Sequence, residues 1–407
     1  MVATARLDEW KANALAALKD LRGMFGIEDN GVLDSDVVYT CAGFQGDGEW
    51  TSEEMAALSS EILGLWGEPS LHLLEKVLMR RIKPVFKANP HPMLNLETGR
   101  KLPRTAGGYA AAQDAYDGQI WKAHPGIGNV ILWCVRRIDT DAYERLWYLV
   151  VPPMMTLLDD FEARYKLLGI QVVNAMLEHV PLSLLNRTGI SELILASLNR
   201  ALTFLHSPFT PAVLRAAVPA AVNLIERTTE RGSEQRFSQL SALLGEGMIG
   251  SVWMYSSEDA DTVEASVDVL PIVVRALGVG ATRYLKANPP RRLTRYQALI
   301  PQLTHPLHPV PYKKSHIALQ LSSLHALGTV MQECAPRIQY WKGTIVEGVA
   351  KCWVALWDAK KADEGTGALR VVCAGLYEVA PSVRDEYIRL LRLDKGIFEE
   401  LVGDLPS

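Results

Sequence analysis

Three groups of residues have types and spacings that could do chemistry. The first is the run Gly245-Glu246-Gly247-Met248-Ile249-Gly250. A GxGxxG pattern can wrap backbone amides around phosphates, as in a protein-kinase glycine-rich loop. It does so as a strand-turn-strand followed by a lysine on the next strand. Here Glu258, Asp259 and Asp261 follow, and neither an HRD nor a DFG triplet occurs downstream. The run therefore reads as a glycine-rich helix end. The second group is His305, His308, His316 and His325. A zinc site needs three or four compatible ligands, and Pro306, Pro309 and Pro311 place the only ligand-like pair, His305 and His308, in a loop. These read as structural histidines. The third group is the five cysteines, Cys41, Cys134, Cys334, Cys352 and Cys373, with no CxxC pair among them. Free buried thiols in a reducing compartment are the expectation. No serine sits in a nucleophile elbow and no cysteine has a histidine neighbour of protease type. The residues point to a chain that is not an enzyme and takes no cofactor and no metal.

What remains is architecture. A chain of 407 residues can hold two or three domains or one elongated repeat array. Its formal charge of −4 argues against a general nucleic-acid binder, which would carry a strongly basic face. Met1 to Leu7 form no apolar signal core, and the apolar run Leu146 to Leu158 is too short for a membrane span. The sequon Asn186-Arg187-Thr188 is accordingly not expected to be glycosylated.

Leu7, Trp10, Ala14, Leu18, Leu21 and Phe25 recur at steps of three and four, which predicts an amphipathic first helix. Gly26 to Gly48 reads mostly as loop, with Val37-Val38-Tyr39 either a short strand or a buried helical turn. Thr51 and Glu54 fit a capping box opening a helix with Met55, Leu58, Ile62 and Leu65 on one face. Pro69 opens the next. From Pro84 to Gly126, prolines and glycines interrupt any longer helix. Beyond Gly128, helical stretches alternate with short Pro, Gly, Asn or Asp breaks, and no alternating strand pattern occurs. The predicted organisation is an N-terminal helical region over residues 1–88, a Pro/Gly-rich loop over 89–127, and a degenerate HEAT-repeat solenoid over 128–407. The fold class is all-α, a HEAT-repeat-like helical solenoid (an α-α superhelix) with a smaller helical N-terminal part.

One unit makes the repeat reading specific. Leu146 to Asp160 is an apolar helix with Pro152-Pro153 near its middle and paired aspartates, Asp159-Asp160, at its end. The following helix begins near Tyr165-Lys166-Leu167-Leu168-Gly169. A HEAT repeat has this form: proline bends the first helix, an acid caps the turn, and a basic residue early in the second helix reaches that acid. Lys166 or Arg164 would fill the basic role.

Residues Lys83 to Leu198 resemble the Tel two-interacting protein two family, whose members are the third subunit of the Triple-T (TTT) co-chaperone complex. The resemblance is carried by Lys83-Pro84-x-Phe86, His91-Pro92, Thr98-Gly99-Arg100-Lys101-Leu102, Trp121-Lys122, Trp133-Cys134 and Tyr143-Glu144-Arg145-Leu146-Trp147. It continues through Pro152-Pro153, Asp159-Asp160, Lys166, Gly169 and Arg187-Thr188-Gly189-Ile190. It implies a non-catalytic adaptor in a complex with the Tel two-interacting protein one and Tel two subunits. That complex works with the heat-shock-ninety chaperone system and supports the stability of phosphatidylinositol-3-kinase-related kinases, and the implied location is cytoplasm and nucleus. Two alternatives of other classes are a HEAT-like DNA glycosylase, supported only by the basic stretch around Arg291, and a nuclear transport adaptor, which lacks its regular Trp-x-x-x-Asn ladder. The candidate partner surface is the C-terminal part, where Arg291, Arg292 and Arg295 precede Tyr340, Trp341, Trp353 and Trp357. Trp133, Trp147 and Trp253 sit on apolar helical stretches and are expected in the core.

Overall fold

The structure, a computed structural model, describes residues 2–25, 34–46, 48–88, 90–105, 118–286, 298–309, 316–358 and 365–403. Two compact units divide the chain, Met1–Ser197 and Leu198–Ser407.

In the first unit, α1 (Val2–Phe25) packs on α3 (Glu53–Gly64), and α2 (Ser35–Gly43) lies against α3, α4 (Leu71–Val77) and α6 (Ile127–Val135). The short α5 (Lys83–Lys87) joins α4 through a π-helical turn, Leu78–Ile82. Pro84 accounts for that turn: it has no N–H to give the Arg80 carbonyl and its ring crowds that oxygen, so the Lys83 N–H bonds one residue further back, to Leu78. The hairpin α7 (Tyr143–Leu158) and α8 (Ala163–His179) follows, then α9 (Leu182–Thr188) and α10 (Ile190–Ala201), within which the division point falls.

The second unit contains α11 (Thr210–Thr228), α12 (Glu234–Ala242), α13 (Ala260–Leu277), α14 (Leu299–Thr304), α15 (Ile317–Glu333), α16 (Ala335–Ile338), α17 (Lys342–Asp358), α18 (Gly365–Val379), α19 (Arg384–Leu393) and α20 (Lys395–Val402). Helices α11, α13, α15 and α18 stack in sequence, each on the next. This is how hairpins bury their apolar stripes when no single helix can do so alone. By length and composition Ala260–Tyr284 could cross a membrane, but α13 turns Val263, Val267, Leu270 and Val274 into this stack.

The chain is thus almost entirely helical, with the helix-on-helix packing of an α-solenoid in each unit. Among the described residues the only sheet is a two-stranded ladder, β1 (Leu94–Asn95) antiparallel to β2 (Arg100–Lys101).

The structure decides the local expectations, bearing out some and correcting others. Val37 to Tyr39 are helical, because Asp34 caps α2 by accepting the Ser35 N–H and the helix then buries Val38, Cys41 and Ala42. The cap of α3 is Ser52, whose hydroxyl accepts the Met55 N–H; Thr51 instead donates its hydroxyl to the Phe44 carbonyl. Helix α4 begins after Ser70, which caps Leu73, and not at Pro69. The glycine run at Gly245 is neither a phosphate loop nor a helix end: it lies inside a π-helix, Leu243–Trp253, that continues α12. A β-carbon at Gly247 would lie 2.5 Å from Leu202 Cδ1, the tip of a side chain that would have to shift to admit it. His316 is the cap of α15, its Nδ1 accepting the Leu319 N–H. All five cysteines are free and buried.

Candidate functional site

The motif residues of the first unit gather along the α7–α8 hairpin. Pro152 and Pro153 lie inside α7 and are buried. Neither can donate to the carbonyl four residues back, so the turn at Tyr148–Leu149 lacks two helical hydrogen bonds. The β1–β2 loop sits on this turn. Gly99 adopts a left-handed φ of 63°, and a β-carbon there would come within 2.9 Å of Trp147 Cδ1 and 3.2 Å of the Tyr148 Cα. Only glycine combines that φ with that approach. Trp147 Nε1 donates to the Gly99 carbonyl at 3.0 Å, giving a buried indole its partner.

The paired aspartates hold separate upstream segments. Asp159 Oδ2 is 3.0 Å from His91 Nε2, and His91 Nδ1 accepts the Met93 N–H at 3.2 Å. A ring nitrogen that accepts carries no proton, so the neutral tautomer with hydrogen on Nε2 is fixed and Nε2 donates to Asp159. Asp160 is 0 % exposed. Its Oδ1 accepts the Glu162 N–H at 2.8 Å, and Lys122 Nζ reaches Oδ1 at 3.1 Å and Oδ2 at 3.0 Å. Lys122 also bonds Glu162 Oε1 at 2.7 Å and lies over three rings, Trp121 (5.3 Å), Phe161 (4.1 Å) and Tyr165 (5.0 Å). Trp121 is itself stacked on Phe86 and meets Tyr165 edge-on. Burial alone would raise the Glu162 carboxyl, but hydrogen bonding and charge from Lys122, with Arg164, outweigh it and hold the pKa below the ordinary value.

The expected acid–base contact in this repeat is therefore made differently. Lys166, 1 % exposed, donates to the Leu158 carbonyl at 2.7 Å and so caps the end of α7. Arg164 pairs with Glu162 at 2.9 Å. The cation on Asp160 is Lys122, 38 residues upstream, a role no local periodicity signals. Asp160 closes the turn before α8 without reaching its first free amides; Glu162 occupies the cap position and makes no side-chain cap. Gly169 faces α7, where a β-carbon would lie 2.4 Å from the Leu158 nitrogen. Gly189 ends α9 with φ 70°, and Thr188 Oγ1 donates back to the Leu184 carbonyl. Pro92 is half-buried; Thr98 is exposed, its N–H bonded to Asn95 Oδ1. Arg100 is exposed, and among the described residues no carboxylate or carbonyl pairs with it. Leu94 is the buried anchor of this segment, while Leu96 and Leu102 are half-buried.

The C-terminal candidates separate. Trp353 is interior, its Nε1 donating to the Ile397 carbonyl at 2.7 Å, so it belongs to the core and not to a surface. Trp357 is 43 % exposed with its ring 6.4 Å from that of Trp353, and Tyr340 is 70 % exposed. Trp341 is half-buried. Arg291, Arg292 and Arg295 lie outside the described residues. Trp133, Trp147 and Trp253 are all core residues.

This geometry is that of a scaffold. Its ion pairs and rings are spent on one another, tying segments to a hairpin. Among the described residues no three His, Cys, Asp or Glu side chains group to hold a metal ion. No solved structure matches the chain. The profile of the Tti2 family matches residues 37–290, which span the α7–α8 site and more than half of the chain, and the match gives neither the glycosylase nor the transport alternative any support. The chain belongs to the Tti2 family, and it is a non-catalytic scaffold subunit of the TTT co-chaperone complex.

Proposed function

We propose that this scaffold binds the Tel two-interacting protein one subunit through the second unit, at the surface carrying Tyr340 and Trp357, with Tel two as the further subunit. Through that assembly it serves the heat-shock-ninety system and the steady-state level of phosphatidylinositol-3-kinase-related kinases, in cytoplasm and nucleus. The observation that supports the reading is the exposure of Tyr340 and Trp357, which are among several large apolar side chains, Tyr255 and Leu393 included, that the second unit leaves in solvent. Such side chains supply much of the energy of protein interfaces when they fill pockets on a partner.

The test is co-expression of the full chain carrying Tyr340→Ala and Trp357→Ala with the other two subunits, followed by affinity capture. Loss of the Tel two-interacting protein one subunit, with the helical spectrum retained, is the expected outcome. Undiminished recovery would move the interface elsewhere. A truncation after Arg283 is a poorer probe, because it removes α15 and α18 from the stack on which α13 packs.

A further inference from the structure

A hydroxyl residue followed by proline occurs at two places in the sequence, and both lie in one stretch, Ser207-Pro208-Phe209-Thr210-Pro211, between α10 and α11. This is the pattern that proline-directed kinases select. Their clefts leave the N–H of the position after the hydroxyl without an acceptor, and proline alone has no N–H to lose.

The structure separates the two hydroxyls. Thr210 is 0 % exposed, and its Oγ1 is committed twice. It donates to the Phe204 carbonyl at 3.1 Å and accepts the Ser207 N–H at 3.1 Å, closing the turn from inside. Ser207 lies outside any helix, and His206, Pro208 and Phe209 around it are all exposed. Its Oγ accepts the Phe209 N–H at 3.3 Å, and among the described residues no acceptor takes its own proton. His206 has a φ of 65°, and no other described residue except glycine has a positive φ. That is a turn conformation, and with its neighbours exposed the tip of the turn faces solvent.

We propose that Ser207 is a phosphorylation site for a proline-directed Ser/Thr kinase, and that Thr210 is not. Ser207 Oγ attacks the γ-phosphorus of ATP, and the bond from that phosphorus to the oxygen it shares with the β-phosphorus breaks. ADP leaves, and the hydroxyl proton passes to the carboxylate of the kinase's catalytic aspartate. The product puts about two negative charges at the turn, just before α11, whose opening N–H groups and dipole favour them. The phosphate also adjoins His206. Hydrogen bonding from Thr262 and, in smaller part, the charge of His206 hold Asp259, the cap of α13, below the ordinary carboxylate range. Phosphorylation therefore changes the field at two helix starts. The site is separate from the Tyr340–Trp357 surface, so either assignment can fail alone.

The test incubates the native full chain with a mitogen-activated protein kinase and ATP, and locates the phosphate by fragment-ion mass spectrometry. A peptide of residues 203–212 is the parallel substrate. Phosphate on Ser207 in both substrates is expected, with Thr210 of the native chain unmodified. Ser207→Ala should abolish labelling of this stretch, and Pro208→Ala should slow it about tenfold or more. Thermal unfolding verifies that both variants fold. Labelling of the peptide but not of the native chain would show the turn closed to the kinase and overturn the proposal. So would labelling of neither substrate, modification of Thr210 in the native chain, or a Pro208→Ala variant labelled as fast as the wild type.

Discussion

Lys122 Nζ spans both carboxylate oxygens of Asp160, at 3.1 and 3.0 Å, and so pins the segment before α6 to the turn between α7 and α8. The carboxylate is fully buried while the ammonium is about one-fifth exposed, so the two partners do not respond alike to removal. Lys122→Met leaves Asp160 buried without its cation and should cost about 3 kcal/mol, the range for breaking a buried pair. The Lys122→Met/Asp160→Asn double variant should lose less than the sum of the two single changes. A double-mutant cycle in urea measures this, and simple additivity would show that the pair is not coupled.

Gly169 tests the packing of the hairpin. Its missing β-carbon leaves room for the Leu158 backbone, which cannot swing aside as a side-chain tip would. Gly169→Ala should destabilise the first unit by about 2 kcal/mol or more, despite the better helix propensity of alanine. An unchanged midpoint of thermal unfolding would mean that α7 and α8 are not packed this closely.

His91 tests the attachment of the β1–β2 segment. In His91→Ala the Met93 N–H loses its acceptor and Asp159 loses its donor. Hydrogen exchange at the Met93 and Leu94 amides should accelerate, while amides within α8 stay protected. Equal acceleration throughout the first unit would show global loosening and not a local latch.

The thiols give a chemical test. Burial pushes Cys41 and Cys352 up to about 11 and Cys134, Cys334 and Cys373 up to about 12. Since the thiolate is the reactive form, none should react with an aromatic disulfide reagent at mildly alkaline pH in the native chain, and all five should react in denaturant. Rapid labelling of the native chain would contradict the burial.

Acid should loosen the Lys122 cluster. Glu162 has a folded pKa below its unfolded value, so its contribution is fully present above the unfolded value and is lost as pH falls through the folded one. The loss therefore falls below about pH 4.5, and Glu162→Gln should flatten the pH dependence of stability in that window. A wild-type profile and a Glu162→Gln profile that run parallel there would remove Glu162 from the cluster.

The sequence by itself determined the helical class, because an apolar stripe at steps of three and four has no other way to be buried, as at Leu7, Leu18 and Leu21 or Met55 and Ile62. It also determined the α7–α8 unit, since paired prolines before paired aspartates mark a bent helix and its turn, and motif residues there carried the family resemblance. Periodicity failed where a cap or a turn outweighed it: Asp34 starts α2 inside what reads as loop, and Pro84 produces a π-turn where a plain break was expected. The tertiary structure alone decided the partners. Lys122 and Asp160, His91 and Asp159, and Gly99 and Trp147 are each tens of residues apart, and nothing in a one-dimensional pattern encodes which distant cation meets which buried acid. It also decided that Trp353 is core and Trp357 is surface, though both lie on one face of α17. A helix face has an end, and α20 covers Trp353 and leaves Trp357 in solvent.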